Sequence, residues 1–317
     1  MALLLTDAQV REAVTMDAMM DAVEDMHRHY AMGEAVLAER RNVLIGGSQL
    51  ALMGGGLTYL GLYGAKTYTT VQGRQQYHVT LYDATTGRLV AFIHANWLGA
   101  LRTGATTGVA VRLLANPDVK TLGMIGTGYQ AHTQVLAATR ARRFEEIKVF
   151  SRRPDPRNAF AQEMTEALGQ PVRAVESSRE AVAASDVVVC LTVTREPVLD
   201  GAWLEQGALL VSAGPVTVDA QEVDRTSVTR ASRIIVDSIE QAPYEAGELV
   251  AAVNDGAITW EQVLTLPHVV AGMSPGRTNP DENIYVKHFG IGVVDIVAAK
   301  LAYDEATKRG IGLEVDI

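Results

Sequence analysis

The sequence predicts an α/β protein of two domains, one a doubly wound parallel sheet and the other an α+β fold with a largely antiparallel sheet. After Asn116-Pro117, short apolar runs alternate with helical segments, the rhythm of strand–helix–strand units. Between Arg41 and about Asn96, strand-like runs succeed one another with only turn signals between them, too closely for crossover helices. A chain of 317 residues is long enough for both domains to bury a core.

Composition narrows the function classes. The apolar fraction of 48% and charged fraction of 21% are those of an ordinary globular protein. A net charge of −9 with no offsetting basic stripe argues against a nucleic-acid partner. No window reaches the ~18 consecutive apolar residues of a membrane span. The amino terminus MALLLTDAQV lacks a basic segment, and its apolar stretch is too short for a secretory signal. Cys190 is the single cysteine, so no intramolecular disulfide forms, and its place inside DVVVCLT makes it a core residue rather than a nucleophile. The expectation is a cytoplasmic protein with no membrane association.

Along the chain, Thr6 with Gln9 reads as a capping box, and Thr15 as the cap of a helix over Met16 to Met32. Met16, Met19, Met20, Val23, Met26 and Tyr30 recur at helical spacing and read as a packed face. The runs NVLIG, YLGLYGAKTYTTV, YHVTLYDA and RLVAFIHA read as strands, separated by turn signals such as GGG, QGRQQ and ATTGR. Leu98 to Leu114 reads as a helix opening on LRTGATTG. Parallel-strand character then marks Leu122–Ile125, Ile147–Phe150, Asp186–Leu191, Ala208–Ser212 and Ile234–Val236, with helices such as Tyr129–Arg142 and Pro156–Leu168 between them. A last helix from Gly290 to about Arg309 is expected to return to the first domain. The domains are therefore residues 1–115 with 290–317, and 116–289.

The strongest motif is Gly126-Thr127-Gly128-Tyr129-Gln130-Ala131, a G-x-G-x-x-A directly after the strand KTLGMI and opening a helix. Gly126 permits the tight turn, Gly128 lets a pyrophosphate approach the backbone, and Ala131 lets the helix pack close to the strand with its amides aimed at phosphate. Strand before and helix after supply the context that a dinucleotide-binding (Rossmann) motif requires. The next strand ends Val149-Phe150-Ser151-Arg152-Arg153, without the acid that would bind a ribose 2′-hydroxyl. A hydroxyl and two guanidiniums suit a 2′-phosphate, which favours NADP(H) over NAD(H). Thr192, just past the strand run Asp186–Leu191, joins the cofactor-binding set.

In the first domain, Arg41, Lys66 and Arg102 stand in strand or helix settings that favour burial, and a buried cation needs an anion. A substrate carboxylate would supply one; pairing with Glu39 or Asp83 is the structural alternative. Arg40 reads as a surface charge. His78 and His94 are weak proton-donor candidates, and no spacing resembles a metal site.

The segments LYDATTGRLVAFI, ALRTGATTGVAVRLLA, TLGMIGTGYQA and FGIGVVDIVAAKLAYD, in that order and spacing, resemble the ornithine cyclodeaminase/mu-crystallin family from about Arg41 to the last helix. The resemblance implies a β-rich substrate domain that also dimerises, giving a homodimer, and a Rossmann domain. It places carboxylate-binding residues at Arg41, Lys66 and Arg102, the nucleotide loop at Gly126 to Ala131, and the 2′-phosphate contacts of NADP-using members at Ser151, Arg152 and Arg153. It implies hydride transfer between a nicotinamide and the Cα of a small imino or amino acid. Lys66 is then either part of the clamp or the catalytic proton donor. A lyase with internally recycled NAD and a nicotinamide-binding protein with little catalysis are the alternatives. Cyclodeaminases and some dehydrogenases of the family carry an Asp in the turn that here reads Gly214-Pro215-Val216-Thr217-Val218-Asp219, and Asp219, three residues past Val216, compensates only if the loop runs differently. Val216 occupies that position, and valine can neither hold an ammonium nor relay a proton, which tilts the reading toward a reductase or dehydrogenase.

Overall fold

The computed structural model describes residues 1–316. The chain divides into one unit formed by Met1–Ala105 and the chain from Gly290 onward, and a second formed by Thr106–Phe289. The first division falls inside a helix rather than at its end near residue 115. Ala110, Val111 and Leu114 of that helix belong to the second unit's apolar core, so its two halves serve different units.

The first unit contains β1 (Ala2–Leu5), α1 (Asp7–Ala13), α2 (Met16–Ala31), β2 (Ala35–Ile45), β3 (Ser48–Leu57), β4 (Leu62–Val71), β5 (Arg74–Asp83), β6 (Leu89–His94) and the start of α3 (Asn96–Leu114). The C-terminal helix Gly292–Arg309 and the strand Leu313–Val315 complete it. Its seven strands run in the order C-terminal strand, β1, β6, β5, β4, β3, β2, antiparallel throughout except for the β1–β6 pair. Thr6 and Gln9 form the expected capping box, Thr15 caps α2, and Met16, Met19, Met20, Val23 and Met26 are buried. The sequence reading missed β1 and β3. It took Gly54-Gly55-Gly56 for a turn, whereas all three lie inside β3. A Cβ on Gly55 would stand 2.7 Å from Val293 Cγ1, and one on Gly292 would stand 2.4 Å from the Gly54 carbonyl oxygen. The glycines therefore let the C-terminal helix lie directly on the sheet backbone.

The second unit contains β7 (Thr121–Ile125), α4 (Ala131–Ala141), β8 (Glu146–Phe150), α5 (Pro154–Leu168), β9 (Val172–Ala174), β10 (Val187–Cys190), β11 (Leu209–Ser212), β12 (Arg233–Val236), β13 (Val263–Thr265) and β14 (Ile284–Lys287). The eight strands run β13-β12-β14-β11-β10-β7-β8-β9, all parallel, the doubly wound sheet that the strand–helix alternation predicted. β9 and β13, three residues each, are too short to stand out in the sequence, and β14, although its first three residues are apolar, was passed over. Cys190 is fully buried in β10, and burial pushes its thiol well above the usual range, which suits packing and not nucleophilic chemistry. Among the described residues no helix is long and apolar enough to cross a membrane, and no three His, Cys, Asp or Glu side chains gather as a metal-binding group.

One core residue of the first unit makes the fold pH-sensitive. His27 of α2 is wholly buried, neither ring nitrogen has a hydrogen-bond partner, and desolvation pushes its pKa down to about 3. The unfolded chain takes up a proton near the ordinary histidine value, whereas the folded chain takes it up only near pH 3. Stability is thus full above about pH 6.5 and falls toward pH 3 by about 1.4 kcal/mol per pH unit. Urea unfolding is expected to show about 2 kcal/mol less stability at pH 5 than at pH 6.5 from this group. His27→Leu should abolish that part of the slope; an unchanged slope in the variant would contradict it.

Candidate functional site

In the first unit the pairing register decides which cations meet. In β2, Ala38 pairs with Gly54 and Arg41 with Leu52, so the register slips and Glu39 and Arg40 together stand opposite Met53. Met53 pairs in turn with Lys66, and Lys66 with Val79. Partners across a ladder share a face, so Arg40 and Lys66 lie in the row whose other members, Met53 and Val79, are buried. Arg41 lies in the row of Leu52, Thr67 and His78 on the opposite face. Its side chain is 77% exposed and pairs with Glu39 at 3.0 Å. Arg41, expected in the carboxylate clamp, is thus turned outward by the bulge, and Arg40, which the sequence reading left on the surface, comes to the inner row.

Lys66 is buried, and its Nζ lies 3.0 Å from Asp295 Oδ1 of the C-terminal helix. Arg102 Nε, from α3, lies 2.9 Å from the same oxygen. The Arg102 guanidinium packs on Gly290, where a Cβ would come within 2.5 Å of Nη1, and the φ of +78° at Gly290 already favours glycine. Arg40 Nη2 donates to the Gly290 carbonyl oxygen at 3.2 Å. The Tyr77 and Tyr68 rings lie 5.2 and 5.9 Å from Lys66 Nζ. Burial, then the charge of Arg102, lower the Lys66 ammonium to about pKa 7, while Asp295 works in the opposite direction. The cluster thus holds a lysine that exchanges its proton near neutral pH beside two guanidiniums suited to gripping a carboxylate. Asp295 escaped the sequence reading, although a single acid amid GIGVVDIVAAKLA was its signal. His78 and His94 pair across β5 and β6 with ring centroids 5.4 Å apart, in the row of the outward-facing Arg41 and away from this cluster.

In the second unit the turn Gly126–Gln130 links β7 to α4. Gly126 has φ +112°, and a Cβ there would lie 2.2 Å from the Leu191 carbonyl oxygen. At Gly128 a Cβ would meet no atom within 4 Å, and Gln130 caps α4 without a side-chain hydrogen bond. The loop therefore offers close backbone and open space at the start of a helix that no Gln130 side chain caps, a cradle that fits the diphosphate of a dinucleotide. Ala131 is buried and Tyr129 exposed. Thr127 Oγ1 donates to Ser151 Oγ at 2.7 Å, tying this turn to the end of β8. Arg152 and Arg153 are exposed, and among the described residues neither has an ion-pair partner.

Past the strand ends lies a polar network that the sequence did not reveal. Glu222 accepts from the backbone N–H and hydroxyl of Thr192 on one oxygen, and from Ser212 Oγ (2.8 Å) and Gly214 N–H (2.9 Å) on the other. Thr192 is thus engaged by Glu222, which joins the segments after β10 and β11. Buried Lys287 lies 3.3 Å from Glu248 Oε1 and donates to the Pro215 carbonyl at 2.9 Å, and Tyr285 donates to Glu248 at 2.6 Å. Lys287 repeats the signal of Lys66, a cation inside an apolar strand. His288, also buried, bonds Thr107 Oγ1 at 2.9 Å. In the Gly214–Asp219 turn Val216 is half-buried, and Asp219 is exposed. The turn-rich segment before β14 is tied down by Arg277, which donates to the carbonyls of Leu114 (2.7 Å) and Glu282 (2.6 Å).

Comparison with known proteins gives a consistent result. The model of the ornithine cyclodeaminase/mu-crystallin family matches residues 1–310. A solved structure of Thermococcus litoralis Delta(1)-pyrroline-2-carboxylate reductase, in complex with NADH and L-proline, superposes with a TM-score of 0.95 at 31% identity over 99% of this chain and 100% of that one. An archaeal alanine dehydrogenase dimer with bound NAD gives 0.93 at 30%, over 100% and 99%. The iminosuccinate reductase of Paracoccus denitrificans is 36% identical over 239 residues, 75% of this chain and 73% of its own length.

Proposed function

Because this chain belongs to the ornithine cyclodeaminase/mu-crystallin family, and is an NAD(P)-dependent oxidoreductase of the imino acid reductase and amino acid dehydrogenase type, we propose that it reduces a small α-imino acid held by Arg40, Lys66 and Arg102. The observation that carries this is the buried Lys66, with a pKa of about 7 beside Arg102 and Asp295. The guanidiniums of Arg40 and Arg102 grip the substrate carboxylate, and their planar forks fix its orientation. The Lys66 ammonium donates its proton to the imine nitrogen, leaving a neutral amine that regains a proton from solvent. When bound, the nicotinamide supplies the hydride that the imine carbon takes up. The reverse reaction, amino acid oxidation, uses the neutral Lys66 amine as base. Arg102 and Lys66 were expected in this role, and Arg40 replaces Arg41. Arg40→Ala is expected to raise KM for the imino acid about tenfold or more, the loss of one charge-assisted hydrogen bond, whereas Arg41→Ala leaves it within about twofold. Steady-state kinetics on both variants decides between the two arginines.

Gly126 to Ala131 would hold the diphosphate, and Ser151, Arg152 and Arg153 the 2′-phosphate of NADP(H). Two exposed guanidiniums and no carboxylate at the end of β8 support NADP(H) over NAD(H). The test is NADPH against NADH oxidation over a panel of linear and cyclic imino acids. NADPH is expected to give the higher kcat/KM, and Arg152→Ala with Arg153→Ala to reduce that preference about tenfold or more. Equal rates with both cofactors would contradict the assignment. With valine at position 216 and Asp219 turned to solvent, the turn after β11 places no buried carboxylate for a substrate ammonium, which disfavours cyclodeamination of a diamino acid. The outer face of the seven-stranded sheet, with Leu52, Tyr63 and Phe92 exposed, is the surface through which the protein would form a homodimer.

A further inference from the structure

We propose that Asp295 is a positioning residue for the reaction, whose Oδ1 holds the Lys66 ammonium and the Arg102 guanidinium in one arrangement and keeps Lys66 able to donate a proton. The inference rests on the function proposed above and adds a residue on the C-terminal helix to it. One carboxylate oxygen lies 3.0 Å from Lys66 Nζ and 2.9 Å from Arg102 Nε, while Oδ2, also buried, has no hydrogen-bond partner. The side chains of Lys66 and Asp295 are only 3% and 2% exposed. Water therefore does little to shield either charge, and each depends on the other.

The charged groups that act on Lys66 come from three elements. Arg102 of α3 and Arg40 of β2 oppose its positive charge, and Asp295 supports it by charge and by hydrogen bond. Tyr68 of β4 and Tyr77 of β5 present ring faces, and Gly99 of α3 leaves room, since a Cβ there would stand 3.9 Å from Nζ. Asp295 is thus the one anion among these neighbours. It has no part in holding the substrate, because an anion repels a carboxylate; its effect runs through the two cations. Gly290, Gly292 and the glycines of β3 bring the start of this helix onto the sheet, which is what carries Asp295 to Lys66.

Two readouts test this. In protein labelled with [ε-13C]lysine, the Lys66 resonance, assigned with Lys66→Met, should titrate near pH 7 in the wild type. In Asp295→Asn its midpoint should fall by about one pH unit or more, the effect of removing an opposite charge at contact distance. Asp295→Ser serves if the asparagine variant does not fold, and Asp295→Glu, which keeps the charge, should return the midpoint toward the wild-type value. The pH profile of kcat for imine reduction should move down by the same interval in the neutral variants, so activity lost at pH 7.5 reappears at acid pH. A Lys66 midpoint unchanged in a folded neutral variant, or a glutamate variant that titrates like the neutral ones, overturns the proposal. The resonance reads Asp295 without turnover: wild type inactive on every imino acid defeats the function proposed above, while an unmoved midpoint in an active enzyme defeats only the role of Asp295.

Discussion

Lys66→Met is expected to lower kcat for imine reduction by about 10²- to 10⁴-fold, the usual worth of a positioned general acid, while NADPH binding changes by less than about twofold. The reasoning starts from burial. Methionine nearly matches lysine in length and volume, so the inner face of β4 stays filled and no cavity opens. Asp295 keeps Arg102 at 2.9 Å, so the carboxylate is not stranded without a cation. What disappears is the single group of the cluster that can release a proton near neutrality. Guanidiniums stay protonated throughout the working range and cannot take its place. Stopped-flow reduction together with a fluorescence titration of NADPH separates the two quantities. Turnover within about tenfold of wild type would remove Lys66 from the chemistry and leave it a structural cation.

Gly126→Ala is the second large effect. A Cβ at this position meets the Leu191 carbonyl oxygen at 2.2 Å, which is backbone and cannot swing away, and φ is +112°. The backbone conformation alone costs a non-glycine residue about 1–3 kcal/mol, and the clash adds to it by forcing β7 and the segment after β10 apart. The variant should melt several degrees below wild type and lose at least about tenfold in NADPH affinity. Gly128→Ala is the control. A Cβ there meets nothing within 4 Å, so its melting temperature should match wild type while cofactor affinity alone falls. Equal melting and equal affinity in both variants would mean that the turn does not hold a dinucleotide.

The parts of this protein that the sequence discloses are those that depend on local rules. Strand–helix alternation after Asn116 gave the parallel sheet, the spacing of Gly126, Gly128 and Ala131 gave the tight turn from β7 into α4, and Thr6, Gln9 and Thr15 gave the first helix starts. Lys66 and Arg102 were singled out because a cation in an apolar stretch needs a partner, and both are buried against Asp295. What stayed hidden depends on register and on distant segments. A one-residue slip in β2 exchanges the faces of Arg40 and Arg41, and nothing in ERRNVL announces it. Gly54-Gly55-Gly56 looks like a turn until the C-terminal helix is seen lying on it. Asp295 reaches Lys66 across 229 residues of sequence, and Glu222 binds Thr192 across 30. Such pairs are fixed by topology, which local periodicity does not encode.

All of this depends on hydride reaching the carbon beside a carboxylate gripped by the Arg40–Lys66–Arg102 cluster. The most direct measurement uses NADPH carrying deuterium at its transferable position, with an α-imino acid such as Delta(1)-pyrroline-2-carboxylate and NMR of the amino acid formed. Deuterium at Cα, in wild type and at a much slower rate in Lys66→Met, is the predicted result. An amino acid formed without deuterium at Cα, or no product from any α-imino acid that retains its carboxylate, would contradict it.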